Sequence, residues 1–234
     1  MATFLIIGGS AGIGQSLVQC LASNSNNIVF ASYSTGEHLI QVENVHYFQY
    51  NVLEEWVTPA NFPDQLDGFV YCPGAIDLKP FPRMDANAFM ADYNLQVGGA
   101  IRSLQGVLNA LRKSSSASVV LFSTVAVQSG FPFHTKVAAS KGAIEGLTKS
   151  LAAEYAPKIR FNAIAPSLTN TPLAAGLINT EAKVEANGQR HPMKRIGEPA
   201  DIAQMAEFLL SEKASWISGQ ILHVDGGMST LKVG

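Results

Sequence analysis

Short apolar runs alternate with longer amphipathic stretches along most of the chain. Alternation of strands with helices is typical of a parallel sheet covered by helices on both faces. The pattern therefore predicts an α/β domain with a doubly wound parallel sheet and three layers. The predicted strands are Thr3–Ile7, Asn27–Ser32, Val45–Tyr50, Leu66–Cys72, Val119–Ser123, Arg160–Ile164 and Gln220–Val224.

Apolar residues at helical spacing predict long helices over Ala86–Lys113 and Val137–Tyr155, and a shorter helix over Pro199–Ser211. Only residues 33–44 separate the second and third strands, so a helix there must be short or missing. Residues 169–192 are polar and mixed, and we expect them to form a mobile flap that closes over substrate.

Composition limits the function classes. A length of 234 residues, 47% of them hydrophobic and 15% charged, predicts one domain over residues 1–234. The net charge of −2 and the absence of basic clusters argue against nucleic acid, and no apolar run is long enough to cross a membrane. The two cysteines predict neither a metal site nor a disulfide framework, which favours a cytoplasmic protein.

A glycine-rich turn joins the first strand to the first helix. The predicted cofactor contacts in this turn are Gly8, Ser10, Gly12, Ile13 and Gly14. Glycines leave backbone N–H groups open to a pyrophosphate, which then lies at the positive end of the following helix. This arrangement predicts a Rossmann-like dinucleotide-binding fold.

The end of the second strand bears on which dinucleotide is bound. No acidic residue stands at the end of the strand to hold the adenosine ribose hydroxyls, because residues 30–35 read Phe-Ala-Ser-Tyr-Ser-Thr. Ser32 and Ser34 would tolerate a 2′-phosphate, although no arginine stands nearby to bind it. The sequence favours NADP(H) over NAD(H).

These motifs make the chain similar to the short-chain dehydrogenase/reductase family over nearly its whole length. The glycine turn resembles the family's cofactor turn, with Ile7 in place of the usual threonine. The family's active-site asparagine, which holds a water in the proton relay, corresponds to Asn94. The resemblance further implies cofactor contacts at Asn51, Val52, Gly74, Pro166 and Thr171, and the run Ser218–Gly227 resembles the family's C-terminal signature.

The catalytic positions resemble the family less closely. The family has a serine thirteen residues before a tyrosine, and a lysine four residues after that tyrosine. Counting back from Lys141 places Val137 at the tyrosine and Thr124 at the serine. The resemblance implies that Lys141 binds the nicotinamide ribose and that Thr124 polarises a substrate oxygen. Val137 cannot exchange a proton, so the usual mechanism cannot operate unchanged.

Three interpretations remain open. In the first, His134 supplies the proton, because it lies two helical turns before Lys141 and an imidazole titrates near neutrality. Enoyl-thioester reductases of the superfamily are similar, since their tyrosine lies seven residues before the lysine. In the second, the chain binds a dinucleotide without redox turnover. In the third, a water held by Asn94 and Lys141 replaces the tyrosine.

The sequence therefore predicts a reductase of a small carbonyl or an enoyl- or acyl-thioester substrate, with an activated alkene favoured over a ketone. The catalytic residues are predicted to be Thr124, Lys141, Asn94 and His134. The resemblance also implies a homodimer or homotetramer.

Overall fold

The computed structural model describes residues 1–35 and 39–232. Its described residues form a seven-stranded sheet in which every pair of neighbouring strands is parallel, in the order β3-β2-β1-β4-β5-β6-β7. The prediction of a doubly wound, Rossmann-like parallel sheet is confirmed. The strands are β1 Ala2–Ile7, β2 Asn27–Tyr33, β3 Val45–Gln49, β4 Gly68–Tyr71, β5 Ala117–Phe122, β6 Ile159–Pro166 and β7 Ile221–Val224.

Helices connect the strands and cover both faces of the sheet. The α-helices are α1 Gly12–Ala22, α2 Ala86–Tyr93, α3 Gly99–Lys113, α4 Ala126–Ser129, α5 Thr135–Tyr155, α6 Glu181–Arg190 and α7 Pro199–Leu210. Short 3-10 helices cover Phe81–Arg83, Pro172–Leu177 and Glu212–Ala214, and a π-helical turn covers Asn94–Gly98.

The core has two parts, one on each face of the sheet. On one face, Leu104 of α3 and Ile144 of α5 pack in one cluster with Phe161 of β6. On the other face, Leu17 of α1 and Leu209 of α7 pack in a second cluster, which includes the neighbouring strands. Strands covered on both faces must be apolar throughout, which is why they read as continuous apolar runs in the sequence.

Two predicted elements differ from the structure. The single helix predicted over Ala86–Lys113 is divided into α2 and α3 by the π-helical turn Asn94–Gly98. The segment 169–192, predicted as a mobile flap, is mostly helical, because it contains the 3-10 helix Pro172–Leu177 and α6. Its mobility stays a prediction. The connection between β2 and β3 shows no helix in its described part, and residues 36–38 lie outside it.

The strand order places a crevice at one edge of the sheet. The chain passes from β1 to β2, its neighbour on one side, and β4 pairs with β1 on the other side. Loops diverge where the strand order reverses, and ligands of such sheets bind there, outside the carboxyl ends of the strands. Across residues 1–35 and 39–232, no helix has the length and apolar character needed to cross a bilayer. The same residues contain no cluster of three or more His, Cys, Asp or Glu side chains suited to a metal ion.

Candidate active site

A cleft of about 720 Å³ opens at the carboxyl ends of β1, β4, β5 and β6. Its lining contains Lys141 and Arg190 but, among the described residues, no aspartate or glutamate, so the cleft suits an anionic ligand. Every residue predicted to bind the cofactor lines this cleft: Gly8, Ser10, Gly12, Ile13, Gly14, Ser32, Ser34, Asn51, Val52, Gly74, Lys141, Pro166 and Thr171. The structure thus brings together residues that are spread over most of the chain.

The glycine turn is built by close contact between backbone segments. A Cβ atom added to Gly14 would lie 2.1 Å from the Gly8 carbonyl oxygen, so no other residue fits there without moving the turn. The Gly8 N–H donates to Ser32 Oγ at 2.9 Å, and the Gly9 N–H donates to the Ser32 carbonyl at 2.8 Å. The end of β2 therefore holds the turn in place.

The N-terminus of α1 faces the cleft without a capping group. Its N-cap residue is Ala11, no side chain caps the first turn, and that turn contains no acidic residue. The first N–H groups of the helix and the positive end of its dipole remain available to an anion. These features fit the pyrophosphate of a nicotinamide dinucleotide, with Gly12 and Gly14 allowing the close approach.

The adenosine end of the cleft is lined by hydroxyl and amide side chains. Ser32 is buried and supports the glycine turn, whereas Ser34 is exposed beyond β2. Asn51 stabilises its own turn, since its Oδ1 accepts from the Leu53 N–H at 3.1 Å and its Nδ2 donates to Glu54 at 2.8 Å.

The opposite wall of the cleft carries the hydroxyl groups that follow β5. Thr124 Oγ1 accepts from the Ala126 N–H at 3.3 Å, which leaves the hydroxyl proton free to donate to a ligand. Its neighbour Ser123 is buried and donates to Glu145 Oε1 at 2.6 Å. Thr124, and not Ser123, is therefore the hydroxyl available to polarise a substrate oxygen.

Lys141 extends from α5 into the buried centre of the cleft and is only 8% exposed. Burial lowers the pKa of Lys141 to about 8, while the charge of Asp92 acts in the opposite direction. Burial also raises the pKa of the neighbouring Cys72 thiol to about 12, so this thiol is neutral at physiological pH. Lys141 thus titrates close to neutrality, and Cys72 is a poor nucleophile.

Val137 and His134 lie on the same side of α5 as Lys141, and both line the cleft. His134 is the N-cap residue of α5, which begins at Thr135, two residues before the predicted helix start at Val137. Its Nδ1 is 2.8 Å from the Pro132 carbonyl, and its ring packs against Phe131. This contact leaves Nε2 free to face a ligand.

The Asn94 side chain does not line the cleft, and the role of Asn94 in holding a water stays a prediction. Its side chain is exposed, and its Oδ1 accepts from Arg102 Nη1 at 3.0 Å. Gln96 lines the cleft instead and is fully buried. A Cβ added to Gly74 would lie 3.5 Å from Gln96 Oε1 and 3.9 Å from Lys141 Nζ, which places both atoms around one point of the cleft.

The π-helical turn explains why the side chain of Gln96, and not that of Asn94, lines the cleft. The Gly99 N–H donates to the Asn94 carbonyl, and the Leu95 carbonyl accepts instead from the Tyr71 hydroxyl at 2.6 Å. The hydroxyl can approach this carbonyl because Gly99 has no side chain. A Cβ on Gly99 would lie only 2.2 Å from the hydroxyl. Such a turn alters which side chains face the cleft.

Sequence reasoning also missed a buried pair beyond β6. His191 is 3% exposed, its Nε2 is 2.8 Å from Ser167 Oγ, and its Nδ1 is 2.8 Å from the Asn187 carbonyl. Both Ser167 and His191 line the cleft. No spacing in the sequence indicates this contact, because it joins β6 to the residue that follows α6.

Comparisons with known proteins identify relatives over nearly the whole chain. A family model described as "Enoyl-(Acyl carrier protein) reductase" matches residues 8–229. A tropinone reductase homolog of Datura stramonium is 32% identical over 96% of this chain and 91% of its own length. A 3-oxoacyl-[acyl-carrier-protein] reductase of Aquifex aeolicus is 29% identical over 96% of each chain.

Solved structures show the same fold. The enzyme ElxO with NADP bound has a TM-score of 0.86 and 25% identity, covering 98% of this chain and 99% of its own. The chain belongs to the short-chain dehydrogenase/reductase family, and it is an oxidoreductase whose cofactor is a nicotinamide dinucleotide.

Proposed function

We propose that this protein is an NAD(P)H-dependent reductase of an enoyl- or acyl-thioester, or of a small carbonyl compound. The observation that carries the proposal is one cleft with an uncapped helix N-terminus at one end and the buried Lys141 at the other. The bound dinucleotide would supply a hydride. The residues of the chain would bind it, orient the substrate and deliver a proton.

Each cleft residue has a role in this proposal. The glycine turn and α1 would hold the pyrophosphate, and Lys141 would bind the nicotinamide ribose through its ammonium group. Thr124 would donate its hydroxyl hydrogen to the substrate oxygen. In its imidazolium form His134 would donate the proton from Nε2, while its Nδ1–H donates to the Pro132 carbonyl.

An activated alkene is the favoured acceptor group. Val137 provides no phenol at the position from which a carbonyl reductase of this family protonates its substrate. The cleft also has apolar walls that suit an acyl chain, with Ile76, Leu78, Leu173 and Leu177 among the lining residues. The matching family model and the Aquifex relative are both described by names of acyl-carrier-protein reductases, which supports a thioester substrate.

NADP(H) is the proposed cofactor form. Ser34 lies beyond β2 with its side chain exposed, and no acidic residue stands at the end of β2. The related ElxO structure contains NADP. A cytoplasmic location and assembly into dimers or tetramers stay predictions.

The test is NADPH consumption with a crotonyl thioester and an acetoacetyl thioester side by side, and NADH as the control cofactor. We expect turnover of the crotonyl compound. Turnover of the acetoacetyl compound alone would overturn the preference for an alkene. An absence of turnover with both thioesters, together with tight NADPH binding, would favour the second candidate function, a dinucleotide binder without turnover. Val137 specifically supports this second function.

His134→Phe tests the proton donor in the active enzyme. The ring keeps its packing against Phe131 but loses both nitrogens, so we expect turnover to fall about 100-fold, the usual share of a general acid. NADPH affinity should change less than two-fold. Full turnover in this variant would remove His134 from the mechanism.

A further inference from the structure

A buried polar cluster lies between α2 and α5. Asp92 of α2 is 5% exposed and accepts two hydrogen bonds at Oδ2, from Gln96 Nε2 at 2.7 Å and from Ser140 Oγ at 2.6 Å. Asp92 Oδ1 and Gln96 Oε1 are also buried, and neither has a hydrogen-bond partner. Buried polar atoms without partners are uncommon, so this cluster calls for an explanation.

Lys141 directly follows Ser140 on α5 and is the cation nearest in sequence to this cluster. The titratable groups that act on its charge are Asp92 from α2 and the Cys72 thiol from the end of β4. On its own helix, Glu145 accepts from Ser123, and Lys136 pairs with Asp77 at 2.6 Å. Asp92 is therefore the acidic residue that offsets the loss of solvent around Lys141.

We propose that Asp92 is a positioning residue for Lys141, its carboxylate fixed by Gln96 and Ser140 so that the ammonium group stays charged and directed into the cleft. This inference rests on the proposed function for the use of that charge, because the ammonium group would bind the nicotinamide ribose. Gln96 Oε1, which has no hydrogen-bond partner, and Lys141 Nζ both lie next to Gly74, so the cluster borders the ammonium group.

The replacement at Val137 makes such a residue necessary. Desolvation disfavours the charged form of a lysine, and a nearby negative charge restores it. With an apolar side chain one helical turn before Lys141, α5 offers no polar partner at that position. The compensating charge comes from α2 instead. Removing it would leave burial unopposed, and the pKa of Lys141 would fall further below its ordinary value.

Competitive acetylation of the free protein tests this directly. Acetic anhydride reacts with the neutral amine, and mass spectrometry of the Lys141 peptide between pH 6 and 10 gives the neutral fraction at each pH. For Asp92→Asn we expect the labelling rate at pH 7 to rise about five-fold, the change that follows when a lysine with a pKa of about 8 loses ten-fold in proton affinity. Unchanged labelling of Lys141 would overturn the proposal.

Asp77→Asn is the matched control, because it removes an acid that pairs with Lys136 outside the cleft. It should leave Lys141 labelling unchanged, and exposed lysines such as Lys149 provide an internal standard. If Asp92→Asn does not fold, Asp92→Ala removes the carboxylate without adding volume and has the same expected result. A merely structural role for Asp92 would lower thermal stability in these variants without altering the pH profile of labelling.

The pH dependence of turnover gives a second result that separates the two proposals. In Asp92→Asn, the alkaline limb of the kcat profile should move to lower pH. An inactive wild-type protein would contradict the proposed function, whereas the acetylation profile would still decide the role of Asp92.

Discussion

The two ends of the cleft differ in how far their residues depart from the family pattern. At the cofactor end, Ile7 replaces the family's usual threonine, yet the turn between β1 and α1 retains its close backbone contacts. At the catalytic end, one replacement, Val137, removes the group on which the family's proton transfer depends.

The difference follows from the chemistry at each end. Pyrophosphate binding uses backbone N–H groups and a helix dipole, which tolerate changes of the surrounding side chains. Proton transfer needs a particular titratable group within hydrogen-bonding distance of the substrate. The cofactor end can therefore vary in sequence and keep its function, whereas the catalytic end must find another proton donor or lose turnover.

The largest expected effect comes from breaking the cofactor end at Gly14. In Gly14→Ala the new methyl group would overlap the Gly8 carbonyl, so we expect NADPH affinity to fall more than 100-fold and the free energy of unfolding to fall by about 3 kcal/mol. Calorimetric titration and urea unfolding measure the two effects. Gly146→Ala is the control, because nothing lies within 4 Å of the added Cβ and α5 should gain about 0.5–1 kcal/mol. Normal NADPH binding by Gly14→Ala would refute this account of the turn.

Restoring the family residue at the catalytic end tests the other half of the comparison. Val137→Tyr places a phenol one helical turn before Lys141, and we expect acetoacetyl-thioester reduction to rise at least ten-fold. Val137→Phe adds the ring without the hydroxyl and should not raise the rate. Equal activity of the two variants would mean that the phenol does not reach the substrate.

The charge of Lys141 has a predictable effect on stability. The folded protein holds its pKa at about 8, below the ordinary 10.5, so between these pH values the unfolded chain binds more protons and the stability contributed by this group rises with pH. Methionine does not titrate. The free energy of unfolding of the wild type should therefore rise by about 2 kcal/mol relative to that of Lys141→Met between pH 7 and pH 10.

Urea unfolding at both pH values measures this change, with the exposed Lys149→Met as the control. A constant difference between Lys141→Met and wild type would show that Lys141 keeps an ordinary pKa. The same variant should bind NADPH about ten-fold more weakly, because the ribose loses a charged donor.

The smallest effect is expected at Asn94. Asn94→Ala removes only an exposed contact with Arg102, so turnover should change less than two-fold. Gln96→Ala, which empties a buried position in the cleft, should lower turnover more strongly, and steady-state kinetics compares the two. A larger loss of turnover in Asn94→Ala than in Gln96→Ala would support Asn94 as the residue that holds the water.

The sequence allowed prediction of every strand and of the glycine turn that lines the cleft, because apolar runs and glycine spacing are local signals. It did not allow prediction of the π-helical turn, which depends on the Tyr71 hydroxyl contacting the Leu95 carbonyl from another element. The position of Gln96 in the cleft was therefore missed. The Asp92 cluster and the contact of Ser167 with His191 were missed for the same reason, since both join elements distant in sequence.

Calorimetric titration of the wild-type protein with NADPH tests the central claim most directly. The claim is that the cofactor end of the cleft is intact although the catalytic end has diverged. The account predicts one NADPH bound per chain with a dissociation constant on the order of 1–100 μM, in the range typical of such ligands, and weaker binding of NADH. An absence of binding for both dinucleotides would contradict it.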